Sequence, residues 1–154
     1  MKKKWIYLLS TIMFLVPVGN VFADGCKNEL KMSQLPQKVQ HFVMSHFAGE
    51  TFEKSCKDDH GEYEVMMSNG FVIEFNRDGQ WQEVENTTHM ALPLSVVQLL
   101  PSVAVEYLGQ KYPNGMVCAI ERTKNGYEVV LYDTRKVELH FDHNGKFIAK
   151  KDKD

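Results

Sequence analysis

The stretch Phe71-Val-Ile-Glu-Phe-Asn-Arg-Asp-Gly-Gln-Trp81 decides the fold, because it returns in altered form as Val137-Glu-Leu-His-Phe-Asp-His-Asn-Gly-Lys-Phe147. Apolar residues alternate with polar ones in both stretches, Phe71, Ile73 and Phe75 in the first and Val137, Leu139 and Phe141 in the second. A polar turn ending in glycine follows, and then an aromatic. Period-two alternation, a glycine turn and a returning aromatic describe a strand, a tight hairpin and the start of the next strand.

Upstream, Glu62 to Met67 reads as a strand with Tyr63, Val65 and Met67 on one face. The loop behind it sets the register. A two-residue Asn69-Gly70 loop would put Tyr63 and Val65 on the face opposite Phe71 and Ile73. A three-residue loop with Gly70 in the left-handed position instead pairs Met67 with Phe71, Val65 with Ile73 and Tyr63 with Phe75, which keeps the apolar set together. The same argument at Arg77-Asp78-Gly79 pairs Phe75 with Trp81. Trp81 to Glu85 is then expected as an edge strand, with Glu83 and Glu85 tapering into solvent.

Before these strands, Leu35-Pro36 suits a helix start. Val39, Phe42, Val43 and Phe47 recur at one-face helical spacing, and Gly49 stops the pattern. Thr51 to Lys57 reads as a strand with Phe52 inward, and Asp58 to Gly61 as a turn. Leu100-Pro101 restates the helix start, with Ala104, Tyr107, Leu108 and Tyr112 in the places of Val39, Phe42, Val43 and Phe47. Met116 to Arg122, a turn at Lys124-Asn125-Gly126, and Tyr127 to Leu131 follow. Asp133-Thr134-Arg135 has no glycine, so it is expected either to place a side-chain-bearing residue in the left-handed region or to lengthen. Phe147 to Lys150 closes the pattern. The organisation read from this is a leader over 1–23, a first helix-plus-sheet repeat over 24–87 and a second over 88–154. The fold class is α+β, a tandem repeat of a helix and a four-stranded antiparallel sheet.

The leader rests on Lys2, Lys3 and Lys4, an apolar run from Trp5 to Val18, and Val21-Phe22-Ala23 as a cleavage signal. The run is shorter than the ~20 residues that span a bilayer, so no membrane span is expected beyond it. Removing residues 1–23 takes away three of the 18 basic residues and none of the 20 acidic ones, leaving 15 against 20 and a formal charge of −5. That balance argues against nucleic acid as a partner and gives no basic face for anionic lipid. It favours a protein, a peptide or a cationic group.

Three cysteines in an exported chain leave one free or paired outside it. Cys26–Cys56 and Cys56–Cys118 bridges are both open, with idle thiols the simpler reading. Ala23-Asp24-Gly25-Cys26 lacks the Leu that lipoprotein cleavage uses three residues before the Cys. No CxxC supports redox catalysis. Asn86-Thr87-Thr88 matches the glycosylation pattern but reads as part of a polar connector.

Tyr63-Glu64-Val65, Ile73-Glu74-Phe75, Asp78-Gly79-Gln80-Trp81, Tyr127-Glu128-Val129, Phe141 and Gly145 together resemble the PepSY-like family, small exported bacterial proteins likened to the β-lactamase inhibitory protein. The resemblance covers essentially the whole chain after the leader. It implies a periplasmic binding or inhibitory module, with inhibition of a peptidase or other hydrolase as the implied role. It brings no catalytic residues and no cofactor.

The residues themselves offer little for an enzyme: no serine or cysteine has a base within a nucleophile motif. His140 and Asp142 share a strand face and His143 lies in the turn, so a metal site there needs ligands from elsewhere. The alternative function, a small-ligand or metal-ion sensor, would rest on them. The stronger feature is the sheet face away from the helices. Strand parity assigns to it Glu64, Met66, Val72, Glu74, Gln82 and Val84, then Glu128, Val130, Tyr132, Glu138, His140 and Ile148. A solvent face normally shows cleaner polar alternation. The expected binding residues are Met66, Val72, Glu74, Val84, Val130, Tyr132, His140 and Ile148, docking a protein or basic peptide.

Overall fold

A computed structural model of the chain describes Cys26 and residues 28–152. The leader and its cleavage point lie outside the described residues. Nine antiparallel strands form a single sheet in sequence order: β1 Asn28–Glu29, β2 Phe52–Lys57, β3 Tyr63–Met67, β4 Phe71–Phe75, β5 Trp81–Asn86, β6 Met116–Thr123, β7 Gly126–Tyr132, β8 Lys136–Phe141 and β9 Phe147–Asp152. Helices α1 (Gln37–His46), α2 (Leu94–Val97) and α3 (Ser102–Lys111) complete the fold. Each begins just after a proline, at Pro36, Pro93 or Pro101. Among the described residues no helix is long and apolar enough to cross a membrane.

One core holds the helices to one face of the sheet. Val39, Val43 and Phe47 of the first helical segment and Ala104 and Leu108 of α3 join Val65, Ile73, Phe75, Ile120, Val129, Leu139 and Phe141 in it. Phe42 meets Phe75 edge-on at 5.3 Å, and Tyr107 meets Phe141 at 5.6 Å. These ring pairs add to area burial, which drives the packing at about 25 cal/mol per Å2.

The three-residue loop after β3 is present. Val65 pairs with Ile73 and Tyr63 with Phe75, with Asn69 at φ 60° and Gly70 at φ 80°. Phe75 pairs with Trp81 as expected. The loop after β7 is closed differently from the one after β3. Tyr132 pairs with Lys136 across Asp133-Thr134-Arg135, and none of these three has positive φ. The second of the two expected outcomes holds: five residues separate Leu131 from Val137 where three separate Met67 from Phe71, so the hairpin is longer and no residue of its turn enters the left-handed region.

Two expectations about β5 are overturned. Phe75 faces Trp81 but Glu74 faces Glu83, so the ladder shifts there. The extra residue reverses the alternation beyond it. Val84 therefore points into the core with 0% exposure, not outward, and Glu83 and Glu85 take the outer face. Nor is β5 an edge: it pairs with β6 through Glu83–Glu121, Val84–Ile120 and Glu85–Ala119. A strand flanked on both sides cannot taper into solvent, and Glu85 is 8% exposed.

Cys26 and Cys56 form a disulfide. A sulfur so bonded is not available for a lipid anchor. Cys118 is free and buried, and burial pushes its thiol up to about 11. Asn86 of the glycosylation pattern is also buried, and its side chain is engaged. Its Oδ1 accepts from Thr88 N, Thr88 Oγ1 and Met90 N, while Nδ2 donates to Asn69 O.

Candidate functional site

The outer face is organised in rows that run across the strands. In one row Glu64 pairs with Glu74, Glu74 with Glu83, Glu83 with Glu121, Glu121 with Glu128, and Glu128 with His140. Five consecutive strands, β3 to β7, thus each present a glutamate to the next. Like charges directly opposite one another destabilise a sheet, so the row carries a cost that the fold tolerates.

Burial and nearby acids hold Glu64, Glu74, Glu83 and Glu121 of this row protonated to higher pH than an isolated glutamate. Glu83, at the centre, is pushed up to about 9, first by burial and then by Glu74, Glu85, Glu121 and Glu128. Glu64 rises to about 7 by burial, with Glu74 and Glu85 adding to it. Glu121 rises to about 7 by burial and by Glu128, Glu74 and Glu138. Burial also raises Glu74, with Glu62 and Asp58 contributing. It raises Glu85 as well, with Glu74 contributing and Lys136 opposing. A cation brought to this face would favour the charged forms and displace those protons.

The neighbouring row is mixed: Lys54, Met66, Val72, Glu85, Ala119, Val130, Glu138 and Lys151. Cys118, Ala119 and Val130 form a small apolar cluster with Tyr132 beside it. At the β2–β4 end an open recess of about 380 Å3 is walled by the Cys26–Cys56 bridge, Asp58, Glu62, Glu64, Glu74 and Glu121. At the β8 end His140 Nε2 lies 2.8 Å from Glu138 Oε1, and Nδ1 lies 3.8 Å from Glu128 Oε2.

The eight residues expected to bind are distributed unevenly. Glu74 and His140 stand in the glutamate row, and Met66 lies half-buried beside it. Tyr132 is half-buried, with its ring 4.9 Å from that of His89. Val72 and Val130 lie on the outer face by register but are buried, at 1% and 3% exposure, so neighbouring side chains cover them. Val84 belongs to the core. Ile148 is the extra residue of a second ladder shift, at Phe141–Phe147, and stands exposed.

Sequence reasoning missed Glu83, Glu85 and Glu121. The signal for the first two was available: Val84 is the apolar residue between two acids and belongs inside. Asp142 does not turn toward His140 as a ligand. Its Oδ1 accepts from Asn144 N and Lys146 N in its own turn, and His143 Nε2 lies 3.1 Å from Lys124 O.

The family described as "Putative beta-lactamase-inhibitor-like, PepSY-like" matches residues 22–71 and 61–149. The chain belongs to the PepSY-like family. Solved structures of similar fold are known. A "putative calcium-regulated periplasmic protein" of Bacteroides thetaiotaomicron is 28% identical, with a TM-score of 0.69 over 81% of this chain and 96% of that one. A "putative periplasmic protein from DUF2874 family" of Bacteroides vulgatus is 28% identical, with a TM-score of 0.71 over 85% and 99%. A second Bacteroides vulgatus protein, "of unknown function", is 25% identical, with a TM-score of 0.68 over 81% and 100%. Among curated proteins none matches the chain. These three solved structures share the helix-and-sheet fold of this chain.

Proposed function

We propose that this PepSY-like protein is an exported, non-enzymatic binding module that docks a lysine- or arginine-bearing segment of a protein partner on the outer face of its sheet. Export is supported by the leader sequence and by the periplasmic descriptions of its structural relatives. The observation that carries the reading is the run of five glutamates in register from β3 to β7. Charge complementarity of this kind steers and selects partners more than it adds raw affinity. Successive strands lie about 4.8 Å apart, so basic side chains from an extended segment crossing the strands can meet several carboxylates in turn. Inhibition of a hydrolase, in keeping with the family description, is the form such docking takes when the basic segment belongs to an enzyme's surface loop.

Titration of the purified chain with labelled peptides of alternating lysine, followed by fluorescence anisotropy, tests this. Saturable binding is expected, with none for the glutamate analogue. The double variant Glu83→Gln with Glu121→Gln should weaken binding by about tenfold or more, the equivalent of 1.4 kcal/mol, without lowering the thermal midpoint. Equal binding by the double variant would sink the reading.

A further inference from the structure

We propose that Glu128, Glu138 and His140 form a site for a divalent metal ion of zinc-like character at the β8 end of the outer face. One ligand atom from each of these three side chains lies within 4.8 Å of the other two. The backbone positions are fixed by the sheet. Glu128 on β7 pairs directly with His140 on β8, and Glu138 precedes His140 by two residues on the same face. The carboxylates flank the imidazole on different nitrogens, Glu138 Oε1 at 2.8 Å from Nε2 and Glu128 Oε2 at 3.8 Å from Nδ1, so an ion seated on one nitrogen requires the carboxylate at the other to turn toward it.

Two carboxylates and one imidazole are a three-ligand set that leaves a fourth position of a tetrahedral zinc ion to water or to a partner's side chain. The imidazole distinguishes the metal class. Calcium takes oxygen ligands almost exclusively, whereas imidazole suits zinc and its first-row neighbours. Glu121 pairs with Glu128 from the other side, which extends the negative charge beyond the three ligands. A cationic group is already drawn there, since Lys151 Nζ lies 3.2 Å from Glu138 Oε1. Its side chain is 62% exposed, on the outermost strand, so an arriving ion can displace it toward water. Binding requires His140 neutral and Glu138 ionised, so any proton held between them is released.

The site shares Glu128 and His140 with the glutamate row but neither Glu83 nor Glu121, and it does not depend on the docking of a basic segment. Isothermal titration of the purified chain with zinc chloride is the test, with calcium chloride run in parallel. One zinc per chain is expected, bound far more tightly than calcium. His140→Ala should weaken it by about tenfold or more, since even loss of a residue that merely supports a ligand costs that much. His143→Ala should leave it unchanged. Lys151→Ala should tighten it severalfold by removing the competing ammonium, an effect that a purely structural role for this cluster would not produce. Should His140→Ala unfold, His140→Gln carries the same comparison. Glu83→Gln should spare zinc while weakening the basic peptide, so the two readings fail separately. Unchanged zinc affinity in the His140 variants, or no saturable heat at millimolar zinc, would overturn the proposal.

Discussion

The hairpins β4–β5 and β8–β9 are built alike and positioned differently. In the first, Asn76 Oδ1 accepts from Asp78 N and Gln80 N; in the second, Asp142 Oδ1 accepts from Asn144 N and Lys146 N. Both turns place glycine at positive φ, 75° for Gly79 and 84° for Gly145. Both shift the ladder one residue later. The difference lies in what each hairpin meets. β5 is flanked on both sides, and its outer face is pressed among carboxylates. β9 is the last strand in the order, rich in lysine and open. Local chemistry sets the shape of a hairpin, and its neighbours decide whether the same outward position is a buried acid or a solvated base.

The first contrast is between the two turn glycines. A Cβ on Gly145 would lie 2.7 Å from Pro101 Cβ and 2.8 Å from Ala104 N, whereas one on Gly79 would meet Lys38 Cβ at 3.3 Å. Gly79→Ala should cost about 1–2 kcal/mol for the left-handed backbone alone. Gly145→Ala should cost roughly 3 kcal/mol or more, because the start of α3 must also move. Urea unfolding of both variants checks this, and equal losses would mean that the two helices approach their hairpins equally.

The second contrast is the disulfide, which ties β2 to the segment just before β1 and has no counterpart beside β6 among the described residues. Closing a separation of 30 residues is worth about 3.6 kcal/mol. Cys26→Ser with Cys56→Ser should lower stability by that amount, whereas Cys118→Ala, at a buried and unbonded thiol, should cost about 1 kcal/mol.

The third compares the last residues of β5 and β9. Asn86 is buried with four side-chain hydrogen bonds, while Asp152 makes surface ion pairs to Arg135 at 3.3 Å and Lys150 at 3.0 Å. Asn86→Ala should cost about 2–3 kcal/mol because it leaves buried backbone groups unmet. Asp152→Ala should cost less than about 0.5 kcal/mol. Thermal melts of the two variants decide whether the connector after β5 hangs on this one side chain.

The last contrast is one of pH. Glu83 and Glu64 bind protons more tightly folded than unfolded, so the folded chain holds more protons between pH 4.5 and their raised values of about 9 and about 7. Stability therefore falls as pH rises through that window. The midpoint should be higher at pH 5 than at pH 8 by several degrees, and Glu83→Gln should raise the pH 8 midpoint and flatten the profile. A midpoint that rises from pH 5 to pH 8 would show that the row is better solvated than its burial implies.

The sequence by itself determined the elements, since period-two alternation, the proline-led helices and the glycine turns are local features. Val65 opposite Ile73 and Phe75 opposite Trp81 could be read because each pair closes over a short loop whose length is visible. Strand parity put Glu64, Glu74, Glu128 and His140 on the outer face, but tertiary structure decided that they form one row with Glu83 and Glu121. A single extra residue after Trp81 turned Val84 inward and Glu83 outward, and the pairing of Glu83 with Glu121 joins strands separated by the whole of α2 and α3. Pairing over that distance depends on how two helices pack onto a common core. The row of five glutamates, and the meeting of Glu128 with His140 at its end, exist only once the sheet has formed.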